Sequence, residues 1–237
     1  MNPGKTNVTL PEGVSLQRVG QVLLDAWEVG SHQWTDTPLI LREGGTSPVV
    51  PFPGDALELF RLLHERRVPY LLVGGIAMLT YVQGRNTKDV DLLMSVAAME
   101  QMPEIKIEDR QDFFALGKFR SVRVDLLLTS NPLFQTVADR FATSHRFAEL
   151  DVPAATVEGL ILLKLYALPS LYRQFDMDRV ALYETDITML LARHNPELSP
   201  LVDLVAPHVE PGDVKQLREI GRECQERAAR LRQRSGS

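Results

Sequence analysis

Asp89 and Asp91, one residue apart, and Asp125, set inside the apolar run Val124–Leu128, are the side chains of this chain with the clearest chemistry. If the first two lie on a strand, their carboxylates share one face about 6.6 Å apart along the chain, and Val90 points into the core. Val124 and Leu126 flank Asp125 in the same alternating way, so a neighbouring strand would bring it to that face. Three converging carboxylates repel one another without a cation. An aspartate inside an apolar strand also costs stability unless it is paired, metal-bound or at an exposed end. The pattern therefore predicts Mg²⁺, which suits an all-oxygen shell. Two such ions about 3.5–4 Å apart support in-line phosphoryl displacement. The expected reaction is attack by an acceptor hydroxyl on the α-phosphorus of an NTP, with Asp125 as a ligand rather than a base.

The surrounding residues suit that reaction. Gly74 and Gly75 open a short helix, where backbone N–H groups can approach phosphates. Arg85 and Lys88 could neutralise the outer phosphates, and Thr87 stands just ahead of the carboxylates. Taken singly these signals are weak, since an Asp-x-Asp pair is common in loops and Gly-Gly often marks only a turn. The order carries the argument: apolar strand, Gly-Gly, short helix, Gly-Arg-x-Thr, Asp-x-Asp, then a lone Asp in a second apolar strand.

Those residues need a sheet to hold them. Asp55 reads as the N-cap of a helix ending before Pro69. Tyr70–Val73 and Val90–Met94 read as strands, and Phe113–Phe119 with Ser121–Thr129 as an antiparallel pair. From about residue 154 the rhythm becomes helical. One helix is expected to stop at Pro169, a second to span Asp178–Ala192, a third to follow Ser199–Pro200, and a last to start near Asp213. The last carries Leu217, Ile220, Cys224, Ala228 and Leu231 on one stripe. The expected fold is α+β, a small mixed sheet flanked by helices and followed by a C-terminal helical region. The expected divisions are an N-terminal extension over 1–50 with one helix, a catalytic core over 51–150 and a helical region over 151–237.

Composition narrows the class. With 237 residues, 44% hydrophobic and 24% charged, the chain can bury a sizeable core. Cys224 stands alone, so no internal disulfide forms. The five histidines form no short metal-ligand spacing. No apolar run approaches the ~20 residues of a membrane helix, and no leader is expected, so a cytoplasmic location follows as an expectation. The net charge of −5 argues against nonspecific nucleic-acid wrapping, although residues 213–234 are locally basic.

The stretch VGGIAMLTYVQGRNTKDVDLLM, with VRVDLLLT, resembles the DNA-polymerase-β-like nucleotidyltransferase superfamily. The resemblance implies that Gly74 and Gly75 cradle the triphosphate, that Asp89 and Asp91 ligate both Mg²⁺ ions, and that Asp125 completes the catalytic one. The segment LILLKLYALPSLYRQFDMDRVALYETDITMLL looks like the helical region of AbiEii-type nucleotidyltransferases and MenT-type toxins. That similarity implies Lys164 on the nucleotide phosphates and Asp186 in the same site. It further implies an RNA acceptor, with tRNA foremost, a role as toxin or defence effector, and a cognate antitoxin partner.

Read from the residues alone, Lys164 interrupts an apolar helix face. It is either a site cation or a lysine snorkelling to the surface. Asp186 could orient it, Arg173 could reach phosphate or RNA, and Asp176 and Asp178 suit helix capping. Two other readings stay open: transfer to a small molecule such as an antibiotic or to a protein hydroxyl, and a non-catalytic, antitoxin-like binding partner. The latter has no physical need to keep three like charges together.

Overall fold

The computed structural model describes residues 53–82, 87, 89–147 and 150–235. The N-terminal extension, Arg85 and Lys88 lie outside the described residues. Helix α1 (Pro53–Glu65) leads into β1 (Leu71–Val73), α2 (Gly74–Leu79), β2 (Asp89–Met94) and α3 (Val96–Met99). A meander follows, β3 (Ile105–Arg110), β4 (Phe114–Phe119) and β5 (Val122–Leu128), then α4 (Pro132–Arg140), β6 (Ala142–Arg146) and β7 (Asp151–Ala155). Helices α5 (Val157–Arg173), α6 (Met177–His194), α7 (Ser199–Val205) and α8 (Pro211–Ser235) complete the described chain. Among the described residues no helix is long and apolar enough to cross a membrane.

The strands form one seven-stranded mixed sheet in the order β3-β4-β5-β2-β1-β7-β6. β2 pairs β5 and β1 pairs β7 in parallel, and the other pairs are antiparallel. The apolar residues of the alternating strands, Val90, Leu92, Val124, Leu126 and Leu128, join Leu59, Phe60 and Leu63 of α1 in one buried core. The fold is thus α+β with a helical C-terminal part, as the pattern predicts. The β6–β7 hairpin spans the expected division between 150 and 151. β7 pairs β1 through Leu72 and Ala154, which ties residues 151–155 into the sheet.

Two expectations are corrected by tertiary context. Asp55 is not an N-cap: it lies inside α1, and its carboxylate accepts from the Ser121 backbone N–H at 3.2 Å and from the Ser121 hydroxyl, fastening α1 to the β4–β5 turn. α5 does not stop at Pro169 but runs on to Arg173. Proline removes one intrahelical hydrogen bond, but Leu165, Leu168, Pro169 and Leu171 are all buried, and that packing outweighs the loss. Asn131, Thr156 and Asp176 accept from backbone N–H groups at the starts of α4, α5 and α6. On α8, Leu217, Ile220, Cys224 and Ala228 are buried, while Leu231 is 39% exposed.

His145 on β6 is fully buried, and its tautomer follows from hydrogen counting. The Tyr81 hydroxyl donates to the Ala155 carbonyl, and the Thr80 hydroxyl donates to the Ala77 carbonyl. Both hydroxyl protons are therefore spent, and His145 Nε2–H donates to these two oxygens at 2.9 and 3.3 Å. Nδ1 is left bare and buried, with no hydrogen-bond partner among the described residues. Burial accordingly pushes the imidazole down to about 4. Because the folded value lies below the unfolded one, near 6.5, stability is lost as pH falls from about 6.5 toward 4, by roughly 3 kcal/mol. Urea unfolding at pH 7.5 and 4.5 checks this: His145→Gln, which keeps a donor but cannot titrate, should lose measurably less stability than the wild type.

Candidate active site

The parallel pairing of β2 with β5 sets Asp91 opposite Asp125 and Asp89 opposite Arg123. Side chains alternate with a period of two, so these four residues project from one face of the sheet. Asp91 and Asp125 line a cleft of about 900 Å³ between that face and helices α5 and α6. Lys164, Arg173 and Arg179 line its helical wall, and Phe114 and Leu116 of β4 continue its floor beside Asp125.

Gly74 explains how Asp91 fits. Its φ is +61°, and a Cβ there would overlap the Asp91 carboxylate. The next residue, Gly75, donates its backbone N–H to Asp91 Oδ2 at 3.2 Å. A Cβ on Gly75 would in turn overlap Thr87, whose hydroxyl donates to the Asp89 carbonyl at 3.2 Å. The glycine pair therefore makes room for and anchors a carboxylate, and Gly74 borders the cleft. Gly74→Ala should push Asp91 aside, cost roughly 1–2 kcal/mol from its left-handed backbone, and reduce activity by about a hundredfold. Gly212→Ala, whose Cβ would meet nothing within 4 Å, is the matched control in the same urea and activity assays.

The carboxylates carry the electrostatic signature of an uncompensated cluster. Burial, and then the charge of Asp125, push Asp91 up to about 7 against the Gly75 hydrogen bond; Asp89 adds to the rise and Lys164 opposes it. Burial and the Asp89 charge raise Asp125, with Arg123 and Arg179 opposing. Among the described residues Asp89 Oδ1 and Asp125 Oδ1 are buried and accept no hydrogen bond. Each forms an ion pair with the Arg123 guanidinium, at 3.3 and 3.8 Å. Among the described residues no three His, Cys, Asp or Glu side chains stand close enough as placed to hold one ion. As a donor set the three carboxylates are all-oxygen and acidic, the chemistry that Mg²⁺ takes.

Lys164 and Asp186 form a buried ion pair at 2.8 Å across α5 and α6, and the Lys164 ammonium lies 4.3 Å from the centre of the Tyr183 ring. At 5% exposure Lys164 does not snorkel to bulk water; its charge stays at the cleft wall. Asp186 is behind it and does not line the cleft. Arg173 borders the cleft while its guanidinium holds Asp213 at 2.9 and 3.1 Å. Arg123, Arg179 and Tyr183 belong to the site and were not among the residues singled out from the sequence. Tyr183 had a usable signal, one helical turn from Asp186, whereas Arg123 gains its meaning only from the register that sets it opposite Asp89. Arg179 had none.

No family model matches the sequence, and no curated protein does. Among solved structures the chain is similar to an antigenic nucleotidyltransferase-like protein from Paracoccidioides brasiliensis, at 16% identity over 69% of this chain and 89% of that one, with a TM-score of 0.42. It is similar as well to ANT(2″)-Ia in complex with adenylyl-2″-tobramycin, at 12% identity over 70% and 94% with a TM-score of 0.36. A solution structure of that antibiotic-resistance factor gives 14% identity over 76% and 94%, with a TM-score of 0.37. Likeness this distant assigns no activity.

Proposed function

We propose that the chain is a nucleotidyltransferase that moves a nucleoside monophosphate from an NTP to an RNA hydroxyl, with tRNA the leading acceptor, as a toxin or defence effector. The observation that carries the reaction class is the in-register β2–β5 pair, which aims Asp89, Asp91 and Asp125 to one face beside a basic helical wall. The acceptor hydroxyl gives its proton to water, its oxygen forms a bond to the α-phosphorus, the α–β phosphoanhydride bond breaks, and pyrophosphate leaves with those electrons. Mg²⁺ held by Asp89, Asp91 and Asp125 would neutralise the triphosphate and lower the pKa of the attacking hydroxyl. Lys164 offers a fixed cation for the phosphates, and Asp186 holds it in place. Arg85 and Lys88 belong to the same reading as outer phosphate contacts.

The RNA acceptor rests on the resemblance of the α5–α6 segment to toxin-type enzymes and on the basic stretch of α8. A small-molecule hydroxyl is the second reading, favoured by how α8 spends its charge. Arg218 pairs with Asp203, Arg222 with Glu226 and Arg227 with Glu184, and Arg232 donates to the Leu191 carbonyl. One experiment separates the readings. Purified protein is incubated with Mg²⁺, each radiolabelled NTP, and either total RNA or an aminoglycoside mixture. Label in RNA, lost in Asp125→Asn, supports the first reading and label in the drug the second, while no transfer together with no NTP binding overturns both. A cognate antitoxin would be a protein that abolishes the labelling on addition.

A further inference from the structure

The turn joining α5 to α6 carries a side chain that packs against little among the described residues. Asp176 N–H donates to the Leu171 carbonyl and Phe175 N–H to the Tyr172 carbonyl, each at 3.1 Å. This double closure puts Phe175 at the left-handed position, with φ 56°, where glycine is the usual residue because a Cβ is crowded. The ring is 84% exposed, so packing does not offset the strain, and the apolar surface it leaves in water adds to the penalty. Arg67 closes α1 in the same way with φ 55°, but a guanidinium is at ease in water. A phenylalanine both strained and exposed destabilises the fold around it, which directs attention to a contact outside the described residues.

Its surroundings say which contact. Arg173 and Gln174 before it and Arg179 after it line the carboxylate cleft. The Arg173 and Arg179 side chains are themselves well exposed. The Arg179–Asp176 pair, at 3.7 Å and in solvent, is of the kind that contributes little. Arg179 is close enough to act electrostatically on Asp125. An exposed ring beside the exposed Arg179, at the rim of a phosphoryl-transfer cleft, has the chemistry of a single-strand platform: the ring stacks a base and the Arg179 guanidinium meets a phosphate, while Arg173 stays on Asp213. We propose that Phe175 is an acceptor-binding residue on which a nucleobase of single-stranded RNA stacks next to the cleft. The acceptor class rests on the RNA reading above.

The test is equilibrium binding of a fluorescent single-stranded RNA oligonucleotide to the full chain without NTP, together with urea unfolding. Phe175→Leu should weaken binding about tenfold, and Phe175→Trp should retain it. The slope of log affinity against log salt should stay unchanged in Phe175→Leu, because no phosphate contact is lost. Phe175→Gly should also bind weakly yet favour the folded state by roughly fivefold. Wild-type affinity in Phe175→Leu, no oligonucleotide binding by the wild type, or easier unfolding of Phe175→Gly would each overturn the proposal. Binding through Phe175 without nucleotide transfer would leave this contact standing and overturn the catalytic reading. Transfer to RNA with undiminished binding by Phe175→Leu would do the reverse.

Discussion

Asp91→Asn and Asp125→Asn should each reduce nucleotidyl transfer by about a thousandfold or more while making the metal-free protein harder to unfold. The two effects have one cause. Asp91 and Asp125 are paired across β2 and β5; burial raises both carboxyls, the charges of Asp125 and Asp89 add to the rise at Asp91, and that of Asp89 adds to it at Asp125. An acid whose folded pKa lies above its unfolded value opposes folding once the pH passes the unfolded value. At pH 7.5 an uncharged asparagine of the same shape relieves that opposition, by roughly 1–3 kcal/mol at Asp91. The same change removes charge needed to hold the cation that a triphosphate requires. Transfer rates measured beside urea midpoints in EDTA check both halves. Loss of stability in Asp91→Asn, or transfer within tenfold of wild type, would contradict the account. Added Mg²⁺ should raise the unfolding midpoint of the wild type more than that of either variant.

The carboxylate face was legible because two short strands obey a period of two against an apolar background: Val90 and Leu92 around Asp91, and Val124 and Leu126 around Asp125. Local pattern could not show that β2 and β5 pair in parallel and in register, since that pairing passes over the intervening β3–β4 hairpin. The same limit hid Arg123. A basic residue on an exposed strand face is ordinary until the register sets it opposite Asp89. β3 and β6 escaped notice as edge strands, carrying polar sequences, IKIEDR and ATSHR, with little apolar alternation. β7 is short and contains Pro153, a residue that argues against a strand. At Pro169 the local rule failed for the opposite reason, because burial on both sides of the proline holds α5 together. Beside the phosphate contact expected of them, the glycines have a structural part that local pattern did not show. Gly75 donates to Asp91, 16 positions away, and Gly74 yields it space.

Lys164 and Asp186 give the second large effect, and a double substitution separates folding from function. Both side chains are buried, at 5% and 3% exposure, and meet at 2.8 Å. Removing either partner leaves an uncompensated charge inside the helical wall, so Lys164→Met alone or Asp186→Leu alone should cost about 3–5 kcal/mol. Replacing both at once removes the stranded charge and fills similar volume. The double variant should therefore recover most of the lost stability, a coupling of at least ~2 kcal/mol in the four-protein cycle. Activity should not follow. If Lys164 supplies a cation to the NTP phosphates, the double variant stays about a hundredfold or more below wild type and its KM for NTP stays raised, however stable it becomes. A double variant that regains both stability and transfer would show that the pair only holds α5 to α6, and the helical wall would then lose its place in the nucleotide site.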